Sequence, residues 1–359
     1  MVRVLLLVTV LVGALACSPA PASQPPPDPV GDHLASTLPD GFGGTVLVGR
    51  DGDVTYCEGF GEADHDAGTE ATCDTVYDVM SITKQFTAAA ILELEVMGRL
   101  RVADPVSAYL GPVPADKQGI TLHHLLSHTS GLVEGIGDDY DVISREDMLA
   151  GALASRLTST PGEEFHYSNL GYSILAAVVE KVSGLGYEQF LAQRLFAPAG
   201  MRDTGYVLPR WDPERIAVEY DETGTSQGRP NEHPWAADGP HWNLRGNGGM
   251  LSTARDMFRW HQALTDGTVL SEAARKELFT PRVQIPGTDM MYAYGWAIRE
   301  VPHGTVAWHN GGNDWSLANF AMDLPDGAAT YWVTNQVVGE DWNLEDLELE
   351  LTEKLLELA

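Results

Sequence analysis

The sequence predicts an α+β fold, an αβα sandwich in which one antiparallel sheet is built from both chain ends and a helical region is inserted between them. Three observations predict it. Residues 44–49 (GTVLVG) and 54–59 (VTYCEG) flank Arg50-Asp51-Gly52-Asp53, and an Asp-Gly pair between two strand-like runs is a hairpin signal. Residues 305–309, 317–323 and 329–334 also read as strands, the last two joined by the turn residues Leu324-Pro325-Asp326-Gly327. Between these ends the pattern is mostly helical, so the two terminal strand sets must meet in one sheet. The sheet region spans about residues 40–80 and 290–359, the helical region about 81–289, and a cleft is expected where they meet.

Each element has its own local signal. Residues 81–97 form a helical run ending at Gly98, and 170–182 a second one ended by Ser183-Gly184; glycine after a helix takes the left-handed conformation that stops it. Residues 121–128, 148–156, 187–196 and 253–265 read as shorter helices. In the tail from 343 to 359, Leu344, Leu347, Leu351, Leu355 and Leu358 recur at helical spacing with glutamates between them, which gives an amphipathic helix with one face to bury. Residues 221–239 are polar and irregular, a surface excursion.

The 359-residue chain is long enough for a sizeable core, and 44% hydrophobic with 20% charged residues is ordinary globular composition. Its charge is not ordinary: 22 basic against 51 acidic residues give −29. That surface repels phosphate backbones and anionic lipid, so nucleic-acid binding and polybasic membrane binding are excluded as leading functions. The acidic residues are spread along the chain, as in a solvated surface, and form no interaction tail.

Residues 1–16 (MVRVLLLVTVLVGALA) carry one basic residue, Arg3, then an apolar stretch too short for a transmembrane helix, which is the pattern of a secretory signal peptide. Ala14-Leu15-Ala16 fits ordinary signal peptidase, and Ala14-Leu15-Ala16-Cys17 resembles a bacterial lipobox with alanine where leucine is usual. The following SPAPASQPPPDP cannot pack and makes a semi-extended tether, which favours lipidation at Cys17. The expected organisation is therefore a leader (1–16), an anchor and linker (17–30) and one domain (31–359), located in the cell envelope, either anchored or freely secreted or periplasmic. With Cys17 acylated, Cys57 and Cys73 remain, and an exported compartment permits a disulfide between them; two unpaired buried thiols are the other reading.

Ser81-Ile82-Thr83-Lys84 carries the first chemical signal. At a helix start, residues i and i+3 share a face, so hydroxyl and amine come within hydrogen-bond reach. A lysine whose charged form is disfavoured by burial can take the serine proton, and nearby unpaired backbone N–H groups favour the negative charge that develops. Alone, Ser-x-x-Lys fits an N-cap serine and a surface lysine equally well.

The surrounding residues change that balance. Residues 78–91 (DVMSITKQFTAAAI) resemble the nucleophile helix of the serine β-lactamase and penicillin-binding-protein superfamily. Further segments follow in the family's order: Gly98-Arg99-Leu100, Asp104-Pro105-Val106, 121–132 (TLHHLLSHTSGL), 161–171 (PGEEFHYSNLG) with Tyr167 and Asn169, Pro198-Ala199-Gly200-Met201, Gly248-Gly249-Met250-Leu251-Ser252-Thr253, and Trp308-His309-Asn310-Gly311-Gly312 at the third motif. The likeness runs from about residue 43 to the C-terminus. It implies a β-lactamase/transpeptidase-like fold and a serine hydrolase without cofactor or metal, acting on a small-molecule or peptide acyl donor as a monomer. It further implies that Ser81 attacks the acyl carbon, that Lys84 with Tyr167 accepts and relays the proton, that Asn169 orients Lys84 and binds a substrate amide, and that the N–H groups of Ser81 and Gly312 form the oxyanion hole. His309, Asn310 and Gly311 would bind substrate.

Departures from the family pattern bear on substrate. Tyr-Ser-Asn in place of Ser-Asp-Asn fits the class C and carboxypeptidase branch. His309 replaces a lysine and Asn310 a threonine, which removes a permanent positive charge and a hydroxyl that would hold a substrate carboxylate; histidine with a pKa of about 6.5 is mostly neutral at pH 7. Trp315 falls near a glycine common in relatives, so its ring narrows the cleft. Together these favour an esterase or peptidase over an efficient β-lactamase, with D-Ala-D-Ala carboxypeptidase or β-lactamase activity as alternatives. A silent relative that binds wall fragments or a partner is the non-enzymatic alternative. Arg245 is either a replacement carboxylate anchor or an ordinary surface arginine. Gly224-Thr225-Ser226-Gln227-Gly228 matches Gly-x-Ser-x-Gly, but Pro230 and Pro234 bar the helix that a nucleophile elbow needs. His123, His124 and His128 lack the glutamate of a zinc HExxH motif and read as structural. Trp242, Trp308 and Trp315 read as core or cleft wall.

Overall fold

The computed structural model describes residues 28–302, 304–324, 326–336 and 344–359; the leader, Cys17 and the proline-rich stretch as far as residue 27 lie outside the described residues. One eight-stranded antiparallel sheet organises the chain. Its strands are β1 (Gly44–Arg50), β2 (Asp53–Phe60), β3 (Val283–Gln284), β4 (Met291–Tyr292), β5 (Ala297–Val301), β6 (Gly304–Gly312), β7 (Leu317–Asp323) and β8 (Ala328–Thr334), in the spatial order β3-β4-β5-β6-β7-β8-β1-β2. β1 lies against β8 with Gly44 opposite Thr334 and Arg50 opposite Ala328, so the chain ends meet in the middle of the sheet as expected. The β1–β2 turn places both Asp51 (φ 53°) and Gly52 (φ 89°) in the left-handed region, the geometry a two-residue hairpin demands.

Alternation along the strands separates two apolar layers. Val46, Val48 and Trp332 point to one face, where Val30 and Leu34 of α1 (Pro29–Thr37) meet Leu351 and Leu355 of the C-terminal helix. Leu47, Phe320, Tyr331 and Val333 point to the other, against the inserted helical region. The helices used below are α2 (Thr83–Val96), α3 (Leu122–Leu126), α4 (Arg145–Ala154), α5 (Asn169–Ser183), α6 (Ala254–Asp266) and α7 (Leu344–Leu358). α2 is buried from Thr83 to Leu92 on all its faces, which is the position of a central helix between sheet and outer helices. Gly98 (φ 67°) and Gly184 (φ 76°) end α2 and α5 in the left-handed conformation.

Three local expectations need correction. Ser81 precedes α2, in a 3₁₀ turn (Met80–Ile82), and α2 itself starts at Thr83. The helix expected over 121–128 stops at Leu126, because His128 takes φ 57° and turns its ring inward. The polar stretch after 220 is less irregular than its composition implies: Glu219–Tyr220 pairs with Ser226–Gly228, and Trp235–Ala236 with Gly239–Pro240. Ser226 is exposed on such a short strand and is followed only by a single 3₁₀ turn (Pro230–Glu232), so it is no nucleophile elbow. Cys57 on β2 and Cys73 are joined by a disulfide, with Cα atoms 6.1 Å apart.

Candidate active site

A sharp turn presents Ser81. Met80, fully inside the protein, is held at φ 49°, and the buried carboxyl of Asp78 accepts its backbone N–H at 2.6 Å. A bulky residue in the left-handed region is strained, and the surrounding packing has to hold it there. β6 runs beside this turn. β5 pairs with β6 only as far as Trp308, so beyond that residue the same edge of β6 has no strand neighbour and faces the Met80–Ile82 turn instead. Gly311 is the closest approach: a Cβ there would lie 2.7 Å from the Val79 carbonyl oxygen and 2.8 Å from both Met80 Cβ and the Ser81 nitrogen.

Lys84 is completely buried on the first turn of α2. Its Nζ lies 2.9 Å from Ser81 Oγ and 2.8 Å from the Asn247 carbonyl oxygen. Burial lowers its pKa to about 7, against the opposing pull of the Asp139 and Glu134 carboxylates. These contacts suit an amine that can act as a base. A neutral amine has two N–H groups and one lone pair; the Asn247 carbonyl can only accept, so it takes an N–H and leaves the lone pair free for the serine proton. Asn247 is itself held by Nδ2 donating to Ser173 Oγ (2.8 Å) and to the Asn243 carbonyl (2.7 Å). Tyr167 engages Ser81 through its hydroxyl, and its ring centroid is 4.8 Å from Lys84 Nζ. Burial pushes the phenol above its ordinary range, so it meets Ser81 as a neutral hydroxyl able to pass a proton on.

Behind this trio runs a buried chain of rings. The Ser168 N–H donates to His128 Nδ1 (3.0 Å), which places the His128 proton on Nε2, 3.2 Å from Tyr292 Oη. Tyr292 Oη lies 3.1 Å from His309 Nε2, and His309 Nδ1 lies against the Asn310 carbonyl oxygen at 2.5 Å. One assignment satisfies every atom: His128 donates to Tyr292, Tyr292 donates to His309, and His309 donates to the Asn310 carbonyl. Both imidazoles are therefore neutral, and burial lowers His128 well below its ordinary value and His309 to about 3.

Next to the trio opens a cleft of about 800 Å³, lined by Asn169, two residues beyond Tyr167, by Asn313, which follows Gly312, and among others by Glu134, Asp138, Asp139, Asn243 and Asp314. Trp315 forms one wall. Its ring stacks on His233 (5.0 Å), which stacks on Tyr140 (4.1 Å). The narrowing ring expected at 315 is thus present, supported by two further rings that sequence reading passed over.

A family model described as Beta-lactamase matches residues 32–353. The chain belongs to the beta-lactamase family. Penicillin-binding protein 4* of Bacillus subtilis (strain 168) is 32% identical to it over 290 residues, covering 76% of this chain and 63% of that protein. Esterase EstB of Burkholderia gladioli is 29% identical over 315 residues, covering 74% of this chain and 80% of the esterase. Among solved structures, a penicillin binding protein from Bacillus halodurans superposes with a TM-score of 0.75 at 26% identity, over 90% of this chain and 99% of that one. The chain spans under two thirds of the length of the Bacillus subtilis relative.

Several residues of this beta-lactamase-family chain stand elsewhere than their motif positions imply. Asn310 lies on the face of β6 opposite Gly311, with its amide donating to Glu348 on α7 at 3.1 Å; it points away from the cleft, because side chains alternate along a strand. His309, only 4% exposed and engaged at both nitrogens, is a buried support and offers no charge to a substrate. Asn169 reaches the cleft wall but has no hydrogen bond to Lys84, whose second partner is the carbonyl of Asn247, a residue the motif reading did not single out. Arg245 is neither surface arginine nor anchor: it is 4% exposed, paired through both terminal nitrogens with Asp238 and stacked 5.0 Å from Trp242, away from the cleft. Trp308 is buried toward α7. His123 Nδ1 lies 2.7 Å from Tyr294 Oη, and His124 closes a capping box with Thr121 at the start of α3, so these histidines serve the fold. Among the described residues no helix is long and apolar enough to cross a membrane.

Proposed function

We propose that this chain is an exported serine hydrolase that cleaves an ester or amide through an acyl-enzyme on Ser81, with esterase or peptidase character and poor activity on penicillins. The observation that carries the reading is the buried Lys84 amine, 2.9 Å from Ser81 Oγ with its pKa lowered to about 7. In the first half-reaction Lys84 takes the Ser81 proton as Oγ bonds to the acyl carbon. The carbonyl oxygen gathers charge against the N–H groups of Ser81 and Gly312, and the leaving alcohol or amine departs with a proton passed through Tyr167. Water, deprotonated by the same base, then releases the acid and restores Ser81.

The surroundings favour a donor without a carboxylate. No lysine or arginine lines the cleft among the described residues, His309 is neutral, Asn310 faces away and Arg245 is committed to Asp238. The leader and a lipid at Cys17 complete the proposal: an envelope enzyme tethered by its proline-rich stretch. A free, unacylated N-terminus in the mature protein removes the lipid from it.

Intact-mass spectrometry tests the chemistry. Wild type and Ser81→Ala are each incubated with a penicillin, a D-Ala-D-Ala peptide and a short-chain aryl ester. A covalent adduct or donor consumption confined to wild type supports the acyl-enzyme, with the ester consumed fastest. Equal consumption by both proteins, or none by either folded protein, overturns it.

A further inference from the structure

The cleft lined by Asn169 and Asn313 is a wall of hydrogen-bond acceptors. Glu134, Asp138, Asp139 and Asp314 line it, no lysine or arginine does, and none of the four forms an ion pair among the described residues. A chain of net charge −29 scatters carboxylates over its whole surface, so the four alone identify nothing. A second, independent observation does. Asn243 lines the same cleft and is 8% exposed; its Nδ2 donates to the Asp138 carbonyl at 2.9 Å, which fixes the amide orientation and leaves Oδ1 buried with no partner. Asn169 Oδ1, on the same wall and two residues beyond Tyr167, is buried and unpartnered too. An acceptor left buried and unpaired is destabilising, and two on one wall ask for a ligand that brings donors.

The charge and the acceptors ask for the same thing. An ammonium group carries three N–H donors and no acceptor, and its charge complements the carboxylates. The cleft borders the chemistry, because its lining includes Asn169, two residues beyond Tyr167, and Asn313, which follows Gly312. Tyr140, His233 and Trp315 add an aromatic wall for the remainder of such a donor. We infer that this cleft is a subsite for a protonated amine, so that the acyl donors of this enzyme are amino-acid or peptide esters and amides with a free ammonium group near the scissile carbonyl. The inference rests on the Ser81 hydrolase reading and adds to it the charge of the substrate.

The test compares donors that differ only in the group on one nitrogen: alanine p-nitroanilide in both enantiomers, its N-acetyl derivative and its N-succinyl derivative. The expected order of kcat/KM is ammonium over acetyl by at least about tenfold, with succinyl lowest, and the ratio shrinks in 1 M salt, where screening reaches about 3 Å. Glu134→Gln with Asp139→Asn brings the ammonium-to-acetyl ratio to about threefold or less. A change in Lys84 basicity in the free enzyme acts on kcat/KM of both donors alike, so the ratio reads what the ammonium group itself adds. Asp51→Asn with Asp53→Asn, on the hairpin at the opposite end of the sheet, retains the full ratio. A wild-type ratio of one or less, or an equal fall in the hairpin variant, overturns the subsite while leaving the hydrolase reading intact. Failure of the hydrolase reading shows differently, as no Ser81-dependent hydrolysis of any donor. The subsite is then judged by binding: in Ser81→Ala protein, alaninamide raises Tm and N-acetylalaninamide does not, whereas equal shifts or none overturn the inference.

Discussion

Replacing Gly311 by alanine tests how closely β6 must approach the nucleophile turn. The new Cβ would lie 2.7 Å from the Val79 carbonyl oxygen, 2.8 Å from Met80 Cβ and 2.8 Å from the Ser81 nitrogen. Ordinary van der Waals contact begins near 3.4 Å, so strand and turn have to separate by about 0.7 Å. Two of the three obstructing atoms are backbone and cannot rotate aside, and Met80 is already held at φ 49°. Gly311 has no positive φ, so its backbone conformation suits alanine and the perturbation is purely steric. Moving β6 shifts the Gly312 N–H, which the proposed mechanism pairs with the Ser81 N–H on the developing oxyanion. Loss of one oxyanion donor costs about 10²–10³ in kcat, and displacements on the 1 Å scale cost about 10². Gly311→Ala is therefore expected to lower kcat for an aryl ester about 100-fold, with KM changed by less than about threefold because the lost contact belongs to the transition state. Overpacking lowers stability by about 1–3 kcal/mol, which denaturant unfolding measures separately. A folded Gly311→Ala protein with near wild-type kcat refutes the oxyanion geometry proposed for Ser81 and Gly312.

Three further outcomes follow from the same contacts. Lys84 must be neutral to accept a proton and its pKa is lowered to about 7, so kcat/KM rises with pH through about 7 and is level above it; a limb near pH 10, where an ordinary lysine titrates, rejects Lys84 as the base. Arg245→Ala removes a buried cation and leaves behind Asp238, whose side chain is largely exposed, and the half-buried Glu180, which keeps Arg145 and the Tyr187 N–H as partners, so the loss is about 1–3 kcal/mol by urea unfolding, with kcat/KM for a neutral ester within about twofold of wild type; a selective loss on carboxylate-bearing donors would return Arg245 to the site. Tyr292→Phe leaves the Nε2 atoms of His128 and His309 buried without their shared hydroxyl, at a cost of about 2–4 kcal/mol in unfolding free energy; an unchanged Tm argues against the ring chain.

What could be read from the sequence divides along a physical line. Local signals gave the hairpin at Asp51-Gly52, the strands from 304 to 334 and the helix stops at Gly98 and Gly184, because each depends on backbone preferences within a few residues. The spacing of Ser81 and Lys84 was legible for the same reason: one turn of chain brings them together. Long-range partners were not. Asn247 holds Lys84 across 163 residues of sequence through its carbonyl oxygen, an atom every residue possesses, so no side-chain pattern marks it. Arg245 and Asn310 were misplaced because a motif gives a residue's order in the chain and not the face it occupies. Gly248 to Thr253 did carry a resemblance, and the Met250 carbonyl takes the N–H of Val79 just before the strained Met80, but left-handed residues of that size have no signature in sequence.

The electrostatics of the site cohere around one substitution. A lysine at position 309 would place a second ammonium beside Lys84, and each charge would lower the other's pKa. Histidine at 309 is held neutral at both ends of its ring, by Tyr292 and by the Asn310 carbonyl, so it supports the turn without charging the site. That leaves Lys84 as the cation nearest Ser81, its pKa set by burial on one side and by Glu134 and Asp139 on the other. The same two carboxylates face the cleft. An ammonium entering there would offset their field, remove part of what keeps Lys84 protonated, and lower its pKa further. A cationic donor thus favours the free-base form of Lys84 on binding, whereas a carboxylate would favour the protonated form. The acidic limb of kcat, measured with saturating ammonium donor, is accordingly expected below the limb of kcat/KM; coincident limbs would show that cleft and base are electrostatically separate.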